Sequence, residues 1–490
     1  MARKVCLDSM YRRSFIGTVS AGLLGSTAVG QVSANETETE TVNVAEAGAD
    51  TSGNEPIDDI ISDVLTDNTR LLFPEGRYKI NFISLYGLSN AALIGEGDVE
   101  LVPGSSWNED LWIGGTHTRD LTFENFTIDN TDDGVGISIQ IGCHDGLTVK
   151  DVSIKGRNEI RRPAFGLRIL DESGSGIIEN LSMPDGGTSV AVYTDPVGTL
   201  VYRNCHSEGF ANNGIYGSYA SGEVIIDGGF YKNNNVTSIR LSSDGSIVKD
   251  ATIVVDDPPS DYGNCRGVRV AEGDGPVAIE NCKLYMKSGR GTGAIVGAFN
   301  GGSFTVTDTA IYIGEDYTTV GSGGKRTSYA IYVDPSTDGV VGERTITRTI
   351  VSGTGNYVAP VRFARDNNTL VNVCIEQAGH RRNGVLFRDS INNSITDSVI
   401  DVPGDQVVLE GDSSVDQSNI QSESDCEWPS ETELEEEITP EEQLDQESDE
   451  VTDDVDVDSW VSDGDRASEG DTSVEPESED PADEPWCPHK

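Results

Sequence analysis

Four arginines, two tyrosines and a tryptophan recur at one position of a repeated pattern. They are Trp112, Arg168, Tyr216, Arg240, Arg269, Tyr332 and Arg362. Each is the outward residue between two inward apolar ones in a short alternating strand, as in "GVRVA" around Arg269. The full column reads Trp112, Ser138, Arg168, Ala191, Tyr216, Arg240, Arg269, Ile295, Tyr332, Arg362 and Leu386. More cations stand in loops expected to border this face, among them Arg157, Arg161, Arg162 and Arg266, and the run His380, Arg381 and Arg382 in "GHRRNG". A cleft of one charge sign concentrates ligands of the other. Arg240 and Arg269 on neighbouring rungs would stand about 5 Å apart and repel by about 3 kcal/mol at an effective dielectric near 20. Something anionic belongs between them.

Two sources of that anion are open. One is local: Asp195, Asp256, Asp257, Asp261 and Asp334 in neighbouring turns could neutralise the row. The other is an acidic polymer, with arginines on uronate or sulfate groups and aromatics against sugar faces. β-Elimination of a uronate needs a cation on the carboxylate, a base at C5 and an acid for the leaving oxygen. Arg240, Arg269 and Tyr216 are the catalytic candidates for that task, although an arginine base is demanding because its pKa exceeds 12. Trp112, Arg168, Tyr332, Arg362, His380, Arg381 and Arg382 are the substrate-binding candidates. Hydrolysis would need paired carboxylates with a nearby histidine. "NTDDG" (Asn130 to Gly134) supplies acids, but His144 falls in the opposite turn. No cofactor is expected; the abundant acids leave Ca2+ open without a compact ligand motif.

The elements that must position these residues form one unit written about eleven times. A first strand such as "GLRIL" or "SIRLS" leads to a polar turn, a second strand, an Asn or Asp, and a third strand. The Asx position is Asn125, Asp151, Asn180, Asn204, Asp227, Asp250, Asn281, Asp308, Asn372 and Asp397, with Arg348 the exception. Asn and Asp tolerate left-handed backbone and suit a tight bend. Three short strands cannot bury their own face, so the units must stack. Residues after the bend (Phe126, Val152, Leu181, Cys205, Ala251, Cys282, Val373) then form an inward column. The expected fold is all-β, a right-handed parallel β-helix of 11–12 rungs and three sheets over residues 55–420.

"LLFPEGRYKI" and "AALIGEGDVELVPG" resemble the first rungs of secreted pectate-lyase-like β-helix proteins. That resemblance implies polysaccharide binding in a groove on one sheet. It is weak for activity, since the fold hosts lyases, hydrolases, epimerases, tailspikes and adhesins. The expectation is a secreted protein that binds, and could cleave, an acidic polysaccharide or surface glycan. The alternatives are a non-catalytic cell-surface structural or adhesion β-helix and a polygalacturonase-like hydrolase.

The ends differ from the body. "YRRSFIGTVSAGLLGSTAVGQVSA" carries Arg12 and Arg13 before a weakly apolar run, which looks like a twin-arginine export signal over 1–34. An extracellular or cell-surface location follows. Residues 35–54 read as a flexible acidic linker. From Gln421 onward there are 28 acids against 2 bases, a composition that cannot bury enough to order itself, so 421–490 reads as a disordered tail. The net charge of −50 resembles halophile proteins and argues against nucleic acid as a partner. No segment is apolar and long enough for membrane insertion. Of eight cysteines, Cys6 lies in the signal and seven remain. Cys205 and Cys282 read as buried hydrophobes, and Cys426 could pair with Cys487.

Overall fold

Alternating strands separated by one left-handed residue have a single way to bury their apolar faces, which is to wind. The computed structural model describes residues 39–104, 112–320, 326–336, 339, 341–423 and 426. They form an all-β parallel β-solenoid of about 14 turns with almost no helix. Every named strand pairs in parallel with the equivalent strand one coil away; a lone antiparallel bridge joins Thr318 and Thr327. Each coil contributes to three ladders. The first contains Ile215–Gly217, Ile239–Leu241 and Val268–Val270. The second contains Glu223–Asp227 and Val277–Glu280, and the third His206–Glu208 and Phe230–Lys232.

The Asx bends separate the second ladder from the third. Asn125, Asp151, Asn180, Asn204, Asp250, Asn281, Asp308, Arg348, Asn372 and Asp397 all have φ between 46° and 61°. Asp227 does not; Gly228 and Gly229 take the positive φ there at 71° and 91°. The bends bond to each other along the coil axis. The Nδ2 of Asn180 donates to Asp151 at 2.7 Å, Asn204 to Asn180 at 3.0 Å and Asn281 to Asp250 at 2.6 Å. Arg348 replaces that amide with a two-pronged contact to Asp308 at 2.6 and 2.7 Å. The column after the bend points inward: Phe126, Val152, Leu181, Cys205, Ala251, Cys282 and Val373 are each 4 % exposed or less.

Three features differ from expectation. The solenoid starts earlier, because Glu40–Asn43 pairs with Thr69–Leu72 and Val44 is fully buried. Residues 39–54 are therefore solenoid rather than flexible linker; "ETVN" and "SGNEP" carry too little apolar alternation to announce strands. The solenoid has about 14 turns rather than 11–12. Cys426 bonds to Cys374 on the third ladder, not to Cys487, which lies outside the described residues. Cys143, Cys205, Cys265 and Cys282 are free and buried. The twin-arginine segment and residues 427–490 also lie outside the described residues. Among those described, no helix is long and apolar enough to cross a membrane.

Candidate functional site

Pairing registers fix which residues share the outward column of the first ladder. Tyr193 pairs with Tyr216, Tyr216 with Arg240, Arg240 with Arg269, Arg269 with Val296, Val296 with Tyr332, and Tyr332 with Arg362. The central and C-terminal parts of the expected column thus stand, apart from Ile295. The N-terminal part shifts by two residues: Gly166 and Tyr193 occupy the positions expected for Arg168 and Ala191. Strands such as Phe165–Ile169 offer more than one outward position, and a period of two cannot choose between them. Ile295 turns inward and Val296 outward, because "GAIVG" has no alternation to set its frame.

Two of the expected binding residues are interior. Trp112 is fully buried, with its Nε1–H donating to the Ile80 carbonyl at 2.9 Å. Arg382 is also fully buried, donating to Gln377 Oε1 and the Ser328 carbonyl at 3.0 Å each. Burial pushes its pKa down to about 9. Neither can meet a ligand at the surface. Arg381 and His380 are exposed, and the His380 ring stands edge-on to Tyr357 at 5.8 Å.

On this face, guanidiniums lie against tyrosine rings. Tyr193 and Tyr216 stack at 5.6 Å between centroids. Arg240 lies 4.4 Å over Tyr216, Arg362 4.8 Å over Tyr332, and Arg168 5.8 Å over Tyr193. Stacking of this kind holds planar cations flat against π faces and fixes their direction. Burial raises the Tyr193 and Tyr332 phenols to about 12, so both are neutral hydroxyls at physiological pH.

The anion at the centre is Glu272, three residues beyond Arg269 in the turn after the first strand. Its carboxylate takes Arg240 Nε at 3.0 Å and Arg240 NH2 in a second, shorter contact. Burial would raise the Glu272 pKa, but attraction to Arg240 and Arg269 outweighs it and brings it down to about 2. Burial would likewise lower the Arg240 pKa; Glu272 outweighs that and holds it above the ordinary arginine value. Of the aspartates expected to neutralise the row, Asp195 stands 3.8 Å from Arg168. Asp334 feels Arg266, Arg269 and Arg362, although burial still raises its pKa overall. Asp256 serves Lys232 instead, at 3.5 Å. Glu272 left one trace in the sequence: it is the first acid in "VAEGDG" after an arginine strand.

The centre is covered and the flanks are open. Tyr216, Arg240 and Arg269 are 1 %, 8 % and 7 % exposed, whereas Tyr193, Arg168, Tyr332 and Arg362 are partly exposed. The catalytic candidates therefore come together on adjacent rungs, where all three side chains are buried. An arginine with a raised pKa cannot accept a proton from a sugar. The acids of Asn130–Gly134 follow the third-ladder end of Ile113–Asp129, whereas His144 follows the first-ladder strand Ile139–Cys143. His144 bonds Asp171 at 2.7 Å and His117 at 3.3 Å. Among the described residues, the acids of Asn130–Gly134 and His144 thus stand at the ends of different ladders.

No family model matches the chain, and no curated protein matches it in sequence. Several solved structures are similar in backbone. The surface adhesin PfbA of Streptococcus pneumoniae is 12 % identical with a TM-score of 0.47, covering 78 % of this chain and 99 % of that one. The catalytic unit of a GH87 α-1,3-glucanase from Streptomyces thermodiastaticus is 14 % identical with a TM-score of 0.40, covering 82 % and 72 %. The A-module of an Azotobacter vinelandii mannuronan C-5 epimerase is 16 % identical with a TM-score of 0.32, covering 78 % and 100 %. Likeness at this level says nothing of ligand or activity.

Proposed function

We propose that this chain is an exported, cell-surface β-solenoid that binds an acidic polysaccharide along its first ladder without cleaving it. The observation that carries the reading is the pair of partly exposed tyrosine–arginine stations on the first-ladder face, Tyr193 with Arg168 and Tyr332 with Arg362. Five rungs separate Tyr193 from Tyr332, about 24 Å at the spacing of a parallel sheet. Each station offers what an anionic sugar needs: an aromatic edge for the ring face, a hydroxyl donor, and a guanidinium for a carboxylate or sulfate. Binding rather than elimination is favoured because the residues suited to chemistry lie under cover between the stations.

The test is retention of the purified chain on immobilised pectate, alginate and a sulfated glycan, with a neutral glycan as control. Arg362→Ala and Arg168→Ala should each weaken retention on the acidic matrices by about tenfold, the worth of one charge-assisted hydrogen bond. Equal retention on the neutral matrix, or a double variant that binds like the parent, would sink the proposal. Release of unsaturated uronates, read by absorbance, would replace it with a lyase.

A further inference from the structure

Glu272 has a backbone φ of 64°. A side-chain-bearing residue that is neither Asn nor Asp rarely adopts this region, and it persists only where its surroundings over-determine it. The turn Ala271–Asp274 holds the carboxylate over the arginine ladder, where the Glu272 side chain is 14 % exposed and that of Arg240 9 %. Arg240 meets the carboxylate with two nitrogens, and Arg269 adds its charge. Beneath Arg240 lies the Tyr216 ring. Two guanidiniums and an aromatic face near one carboxylate are the groups that would bind a sugar acid. Here the chain supplies the acid itself.

Among the described residues, Asp195 stands against Arg168, Glu272 against Arg240, and Asp334 in the field of Arg266, Arg269 and Arg362. Glu272 is the acid between the two stations, and its turn contains Gly273 on one side of it and Gly275, at φ 66°, beyond. The turn backbone is held to the neighbouring coil, with Gly302 N–H donating to the Gly273 carbonyl and Ser303 N–H to the Asp274 carbonyl at 2.7 Å each, so Glu272 leaves the arginines by rotating its side chain.

We infer that Glu272 occupies, in cis, a site for a sugar oxyanion, and that an acidic glycan seated on the two stations completes its binding by displacing Glu272 from Arg240 and Arg269. The inference rests on the acidic-glycan reading given above. It adds that the centre of the face is a third station, closed in the free protein by an internal competitor. Carboxylate and sulfate esters share the required chemistry. A neutral sugar does not.

The experiment uses the full chain and its Glu272→Gln and Glu272→Gly variants. Each is titrated with D-galacturonate, D-galactose 6-sulfate and D-galactose while its melting temperature is followed. The Gly variant also relieves the left-handed backbone. Expected is a melting temperature of the variants that rises with galacturonate or the sulfated sugar but not with galactose, while the parent shifts little. An oligogalacturonate should bind Glu272→Gly about tenfold more tightly than it binds the parent, since no internal carboxylate competes. Adding Arg240→Ala should abolish the gain. Galactose acting as well as galacturonate would overturn the inference, as would folded variants with no gain. Variants that stay unfolded in every anion would also overturn it, because Glu272 would then be a structural counterion only. The two proposals fail separately. Loss of parent retention on acidic matrices removes the stations, whereas anion rescue of Glu272→Gly is read on monosaccharides that do not span them.

Discussion

Arg240 and Glu272 form the pair on which the centre of the face depends, and their burial makes the pair sensitive to mutation and to pH. Removing one partner of a buried pair strands the other charge, so Arg240→Ala should lower stability by about 3 kcal/mol at neutral pH in denaturant titrations. Glu272 has its folded pKa lowered to about 2 from an ordinary value of 4.5. Its contribution is therefore complete above pH ~4.5 and is lost as pH falls toward 2. The gap between parent and Arg240→Ala should shrink over that window; a gap that persists unchanged at pH 2 would show that packing, not charge, holds Arg240. That two arginines meet on neighbouring rungs was legible in the sequence, as was the need for an anion between them. Which anion was not, because the turn after the first strand follows no period. Glu272 reaches back over the ladder only because its backbone turns left-handed, which residue types do not announce.

Coils are held to one another at their bends, and these can be tested one residue at a time. Asn281→Ala places an alanine at φ 50° and removes the 2.6 Å bond to Asp250. It should lower stability by about 1–2 kcal/mol. Arg348 sits in the same conformation with both partners about half exposed, at 55 % and 48 %. An exposed pair contributes little. Arg348→Asn should therefore leave stability level or slightly raised, and melting curves of both variants check the contrast. Equal losses would mean that the bends do not depend on left-handed tolerance. The bends were readable because one residue type recurs once per coil, and so was the inward column that follows them. The frame of the first strands was readable only where strands are short and sharply alternating, as in Ile239–Leu241. Trp112 shows the failure: a large aromatic beside "LWIGG" fits an outward alternation, yet it is sealed in the core. Arg382 shows another, since its guanidinium is satisfied by the nearby Gln377 side chain and by backbone oxygens of the distant Asn356 and Ser328, which no local pattern reveals.

At the level of the whole chain, 84 acids against 34 lysines and arginines set the behaviour in salt. Self-repulsion of that size destabilises the folded state at low ionic strength, and screening relieves it. The melting temperature should rise with added NaCl, and a flat or falling response would remove the halophile reading. The disulfide between Cys374 and Cys426 closes a sequence separation of 52 and fixes the residues just after the last strand, Val415–Gln421, to the third ladder. Truncation after Cys426 should leave the melting temperature unchanged, whereas truncation after Gln421 removes the staple and should lower it. The central claim is that an acidic glycan lies along the first ladder, and hydroxyl-radical footprinting of tyrosines in the presence of an oligouronate tests it directly. The account predicts protection of Tyr193 and Tyr332, none at the exposed controls Tyr86 and Tyr357, and none anywhere with a neutral oligosaccharide. Protection at Tyr86 or Tyr357 with Tyr193 and Tyr332 unchanged would contradict it.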